Sequence, residues 1–101
     1  MKLKQTIKLS KPIQAQGETL DELKIREPVG ADIRACGMPM AFIALADNPN
    51  QQRIEMNTAA IAQYISRLCD IPPSSVDQLA LSDFARLMEI VSGFFEVAPQ
   101  V

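Results

Sequence analysis

The chain contains no histidine and no tryptophan, and aromatic residues make up only 5% of it. Histidine is the commonest general base and metal ligand, so its absence removes the usual centre of acid–base and metal chemistry. Cys36 and Cys69 would lack their customary partner as nucleophiles. They do not form a CxxC pair, and each sits in an apolar context that predicts a reduced thiol, although spacing alone leaves a disulfide open. Glycine is also scarce. Gly30 and Gly37 are followed by no lysine at phosphate-loop spacing, so no nucleotide cradle is present. Basic charge is not in excess: the net charge is −2, which argues against a binder that relies on neutralising phosphates. Long apolar runs are missing too. The most apolar stretch, Met38 to Ala46, is too short to span a bilayer, and the lysine-rich start lacks the apolar core of a signal peptide. These features predict a soluble intracellular protein with no membrane or nucleic-acid partner, no cofactor, no metal and no enzymatic activity.

What remains is an ordinary globular composition, 48% hydrophobic and 22% charged, in a length suited to one modest core. The expected organisation is a single domain over 1–101: a β-hairpin over 1–27, a helical part over 28–96 and a frayed tail over 97–101. The fold class is α+β, with the N-terminal hairpin packed against a small C-terminal helical bundle.

From residue 2 to 15 the pattern alternates, with Leu3, Ile7, Leu9, Ile13 and Ala15 on odd positions. A period of two is the mark of a strand with one dry face. Gln16-Gly17 suits a tight turn, and Thr19 to Arg26 returns. Such a turn sets Leu20 opposite Ile13, which puts Leu23 and Ile25 out of phase. One extra residue near Asp21-Glu22 would restore the phase and pair Leu23 with Lys11 and Ile25 with Leu9, so a bulge or break is expected there.

The Glu27-Pro28-Val29-Gly30-Ala31-Asp32 joint predicts a short helix from Val29 to Cys36, with Pro28 marking the end of extended chain, Asp32 complementing the dipole and Gly37 as C-cap. A second short helix is expected from Pro39, and 47–52 reads as a loop. A helix over 56–69 capped by Asn57 or Thr58 presents Ile61, Tyr64, Ile65 and Leu68 on one face. A short helical turn follows Ser74 or Ser75. Ser82 is expected to cap a last helix, Asp83 to about Phe95, with Asp83, Arg86, Glu89 and Ser92 on its wet side.

Among charged groups, Glu18, Asp21, Glu22, Glu27 and Asp32 read as a solvated strand face opposite the lysines of strand one, plus a helix N-terminus. Those lysines, Lys2, Lys4, Lys8 and Lys11, read as protection of an open strand edge, which is also a surface that could accept a chosen strand. The Asp47-Asn48-Pro49-Asn50 stretch lacks the acidic alternation of a calcium loop and reads as a turn. The candidate partner-binding residues are Met38, Met40, Phe42, Ile43, Met88, Phe94 and Phe95. Methionine adapts its shape and is over-used on promiscuous binding surfaces.

An ordered set of short pieces carries a resemblance. These are Leu-Ser-Lys-Pro-Ile at 9–13, the turn at Gly17, Leu-Lys-Ile-Arg-Glu-Pro at 23–28 and Gly-Ala-Asp-Ile at 30–33. After a middle helix ending near Cys69 come Val76-Asp77-Gln78-Leu79, Ser82-Asp83 and Phe94-Phe95. Over nearly the whole chain this resembles the small tail assembly chaperones of contractile-tailed bacteriophages, of the E-protein or Mu-like type. The resemblance implies a non-enzymatic chaperone that binds the tape measure protein and keeps it soluble until tail tube polymerisation. It also implies action in the host cell cytoplasm, absence from the mature virion, homo-oligomerisation and a frameshifted longer form as a further partner. The Met- and Ala-rich stretch 38–46 and Cys36 depart from the common pattern of that family. Two other classes stay open: a structural tail or baseplate component, and a small regulatory or DNA-binding module.

Overall fold

A computed structural model describes the backbone of residues 5–45 and 48–95, and the side chains of 5–40 and 55–95. Leu3 and the expected frayed tail lie outside the described residues. The elements run β1 (Gln5–Ala15), β2 (Glu18–Ile25), α1 (Gly30–Cys36), β3 (Met40–Leu45), β4 (Asn48–Met56), α2 (Thr58–Cys69), α3 (Pro73–Val76) and α4 (Leu81–Phe94). The architecture is α+β, with the N-terminal hairpin and the C-terminal helices as expected.

β1 and β2 form an antiparallel hairpin. Its two turn residues, Gln16 and Gly17, have φ of 53° and 80°. Two positive φ values in succession match the right-handed twist of the strands. Alternation then does the rest: Ile7, Ile13, Ala15, Leu23 and Ile25 are buried and form one floor of the core. Ile61, Tyr64, Ile65 and Leu68 of α2 and Leu87 and Val91 of α4 close over that floor. These side chains recur at helical spacing along each helix, which is why one face of each is dry.

The register breaks where a break was expected, but not as expected. Ile13 faces Leu20 and Lys8 faces Glu22, so Leu9 to Pro12 of β1 stand against Asp21 alone. The excess is on β1, not β2. Leu23 therefore faces Ile7 rather than Lys11, and Ile25 faces Gln5 rather than Leu9. An odd excess of either size restores the phase; chemistry decided the strand. Pro12 has no N–H to give a ladder. The Ser10 amide donates to both oxygens of Asp83 at 3.0 and 2.9 Å, and the Lys11 amide donates to the same carboxylate at 3.3 Å. The Ser10 hydroxyl adds a bond of 3.0 Å.

Asp83 therefore does not lie on the wet side of the last helix. It is fully buried, in the first turn of α4, whose N-cap is Ala80 rather than Ser82. Ser92 is half-buried as well, while Arg86 and Glu89 are exposed.

The outer edge of β1 is not the open edge that its lysines suggested. Arg86 donates to the Lys8 carbonyl at 2.9 Å, the Gln14 amide donates to Gln78 at 2.8 Å, and Ser75 donates to the Gln14 carbonyl at 2.6 Å. Side chains from α3, α4 and the turn between them take the place of a third strand.

The larger correction concerns 38–52. Met40–Leu45 is a strand, not a helix, and Asn48–Met56 pairs with it, so the expected loop at 48–52 is part of β4; Asp47 lies outside the described residues. The run 40–45 is apolar without a 3.6-residue rhythm, and its Phe-Ile centre suits a pleated ribbon better than a helix.

Asp83→Ala would remove the one carboxylate that the Ser10 and Lys11 amides bond and that ties α4 to the break in β1. It should lower stability by about 3 kcal/mol in urea unfolding at pH 7, whereas the exposed Glu89→Ala should stay within about 0.5 kcal/mol.

Candidate functional site

Two sets of candidate residues lie around one buried ring, Tyr64. This ring belongs to α2, is completely buried, and its hydroxyl donates to the Gly37 carbonyl. Gly37 ends α1 with φ of 80°, and its N–H bonds the Ile33 carbonyl at 2.8 Å. Met38 follows directly. On another side of the ring, Phe95 meets Tyr64 edge to face, with centroids 5.2 Å apart and planes at 70°.

Met38 and Met40 line a shallow depression of about 400 Å³ with Glu55, Met56, Asn57 and Thr58. Met38 is 54% exposed and Met56 36%, whereas Met40 is nearly closed off at 9%. The depression sits where the second hairpin joins the body. The Asn57 amide bonds the Pro39 carbonyl at 2.8 Å, and the Asn57 side chain caps α2 by accepting from the Ala60 amide at 3.2 Å. Pairing sets Met40 opposite Met56 and Phe42 opposite Ile54, all at alternate positions of one face of the ribbon. On the other face, Ala41 stands opposite Glu55 and Ile43 opposite Arg53. The side chains of Phe42 and Ile43 lie outside the described residues. Ile54 and Met56 were not among the candidates, because reading 47–52 as a loop hid their pairing; β-branched Ile54 two positions before Met56 was the available signal.

Met88 lies midway along α4, Phe94 ends it and Phe95 is its C-cap. All three are half-buried and pack against the main core. Phe95 supports Tyr64, and Met88 and Phe94 pack on the core rather than offering a fully open face.

A second aspartate fixes α1, and with it the start of the second hairpin. Asp32 is completely buried in the first turn of α1. Arg26 grips it through two nitrogens at 2.8 and 2.9 Å, Arg67 donates at 3.0 Å, and the Val29 amide at 2.8 Å. Asp32 stands in the first turn of α1, as expected, but is buried there rather than solvated, and Glu22 stands opposite Lys8. The Arg26 hydrogen bonds hold the Asp32 carboxyl far below the usual carboxylate range, against burial and with help from the Val29 amide and Arg67. Burial works to raise Asp83, yet the Ser10 and Lys11 donors and Arg86 outweigh it and hold that carboxyl below its ordinary value.

The thiols are inert by environment. Both are free; burial pushes Cys69 up to about 12 and raises Cys36 as well. A thiol kept protonated is a poor nucleophile. Among the described residues no group of three or more His, Cys, Asp or Glu is placed to hold a metal, and no helix is long and apolar enough to cross a membrane. Arg67 and Arg86, the cations that a DNA-reading module would need on its last helices, are engaged with Asp32 and with the Lys8 carbonyl.

The arrangement is that of a protein that works by contact: a braced core carrying a methionine-lined depression and a ribbon. The family model described as "Phage tail assembly chaperone proteins, E, or 41 or 14" matches residues 6–96, so the chain belongs to that family and has a tail assembly chaperone role. The family is not an enzyme family. No curated protein and no solved structure matches the chain.

Both clamped aspartates have folded values below their unfolded value of about 3.9, so their contribution is complete above roughly pH 5 and is lost as pH falls toward the folded values. Urea midpoints should accordingly drop between pH 5 and pH 2.5, and the drop should shrink in an Asp32→Asn/Asp83→Asn variant.

Proposed function

We propose that this chaperone binds the tape measure protein of its phage and keeps it soluble in the host cell cytoplasm until tube subunits polymerise around it. The observation that carries this reading is the depression at the base of the second hairpin, where Met38 and Met56 stand exposed beside a buried, hydrogen-bonded frame. A long helix-rich client presents apolar stripes before its tube closes. Adaptable thioether side chains on a rigid support suit an apolar anchor of such a helix without demanding one sequence. Each contact of this kind is weak. Many copies along one client would hold it by multivalency, and arriving tube subunits could displace them one at a time. Phe42 and Ile54 extend the same reading along the ribbon by their register positions, whereas Ile43 falls on its other face. On this reading the chaperone leaves before the particle is finished.

The test is co-expression with the long helix-rich tail protein of the same phage, followed by pull-down and a solubility assay. Met38→Asp is the informative variant, because Met38 is exposed and is not part of the buried core. Phe95→Asp would instead break the stacking on Tyr64. The wild-type chain should keep the client in the soluble fraction, and folded Met38→Asp should reduce that fraction severalfold. Unchanged client solubility with both chains, or recovery of this protein from purified particles, would overturn the proposal.

A further inference from the structure

The outer edge of β2 is unlike that of β1. The Lys8 carbonyl and the Gln14 amide and carbonyl point away from β2, since side chains of the helical part bond them from outside. In an antiparallel ladder, residues facing such positions also turn their backbone groups outward. Glu22 faces Lys8 and Lys24 faces Thr6, so both belong to the outward set of β2. Arg26 continues that set, and its amide does point outward, bonding the Leu68 carbonyl at 3.2 Å. Among the described residues, no group outside the hairpin bonds the backbone of Glu22 or Lys24. A cleft of about 640 Å³ runs along this edge, floored by Leu68, Cys69 and Ile71.

We infer that this edge is a self-association site, where β2 of a second copy pairs antiparallel with β2 about a two-fold axis through Leu23. The sequence Glu22-Leu23-Lys24 is what selects a second copy as the occupant. With the axis at Leu23, Glu22 meets the second copy's Lys24, and Lys24 meets the second copy's Glu22. The pattern is self-complementary in charge, and both pairs fall on outward backbone groups, so each charge pair coincides with a pair of ladder bonds. The remaining cleft charges, Glu18, Arg26, Arg67 and Asp70, are balanced in sign and give no preference to a strongly acidic or basic partner. Closing the edge turns a two-stranded ribbon into a four-stranded sheet, the form in which such ribbons gain stability, and leaves no open edge at its centre. This inference stands apart from the client proposed above, since either can fail alone.

The test is sedimentation equilibrium of the full chain over a wide concentration range, with circular dichroism to confirm folding. The wild-type chain should approach twice the 11.1 kDa of one chain. Lys24→Glu sets like charges opposite each other twice and should weaken association by about tenfold or more, while Glu22→Lys/Lys24→Glu recreates both pairs and should restore it. In parallel, hydrogen exchange at the Glu22 and Lys24 amides should slow as wild-type concentration rises. A monomer at all concentrations, an association indifferent to Lys24→Glu, a double variant that fails to recover, or exchange at those amides independent of concentration would each overturn the inference.

Discussion

The bond network between Asp83 and the break in β1 is the constraint on which the rest of this fold depends. A strand that leaves its ladder exposes amides that must find acceptors. Here one carboxylate, carried in the first turn of α4, takes the Ser10 and Lys11 amides and the Ser10 hydroxyl together. Its position also suits its charge, since the start of a helix favours an anion. Because the break resets the phase by an odd number of residues, Leu23 and Ile25 turn to the same side as Ile13 and Ala15. Without that reset half of the hairpin would present the wrong face to α2. The same bonds lay α4 against β1, which brings Leu87 and Val91 over the core.

Asp32 repeats the device at the other end of the hairpin. It too is a completely buried aspartate in the first turn of a helix, and it is bonded by Arg26, the residue that follows β2. Arg67 adds α2 to the clamp. Buried carboxylates are costly unless every lone pair is answered, and both of these are well answered. The result is a body in which sheet and helices are joined by directional bonds as well as by apolar area. The chain from Asp32 to Gly37 and the Tyr64 hydroxyl then carries that rigidity to the root of the second hairpin.

Much of this was legible from local chemistry. The alternation of β1, the Gln16-Gly17 turn, the Gly37 and Asn57 caps and the spacing of Ile61, Tyr64, Ile65 and Leu68 are all decided within a few residues, and the structure agrees with each. What local rules could not decide was anything settled at long range. The phase conflict at Asp21 is visible in β2, but the strand that absorbs it depends on Asp83, more than seventy residues from Ser10. Helical spacing put Asp83 on the wet side because spacing carries no knowledge of a kinked strand needing an acceptor. The apolar run after Pro39 has no period, so it could be read as either element, and only its pairing with Ile54 and Met56 makes it a strand. Of the candidate site, the methionines at 38 and 40 were found from composition, while Met56 was invisible until that pairing was known.

The position of the proposed surfaces follows from α2. The methionine-lined depression adjoins its first residues, Asn57 and Thr58, and the cleft beside β2 adjoins its last, Leu68 and Cys69. A helix of this length separates its ends by about 18 Å. A second copy seated on β2 would therefore leave the depression open and would add another. For a chaperone proposed to hold a long repetitive client by weak anchors, that arrangement raises the effective concentration of the second contact once the first has formed. Its reach would be fixed by the braced body rather than by a linker, because the Asp32 clamp and the Tyr64 hydroxyl tie the hairpin root to the helix that separates the two surfaces.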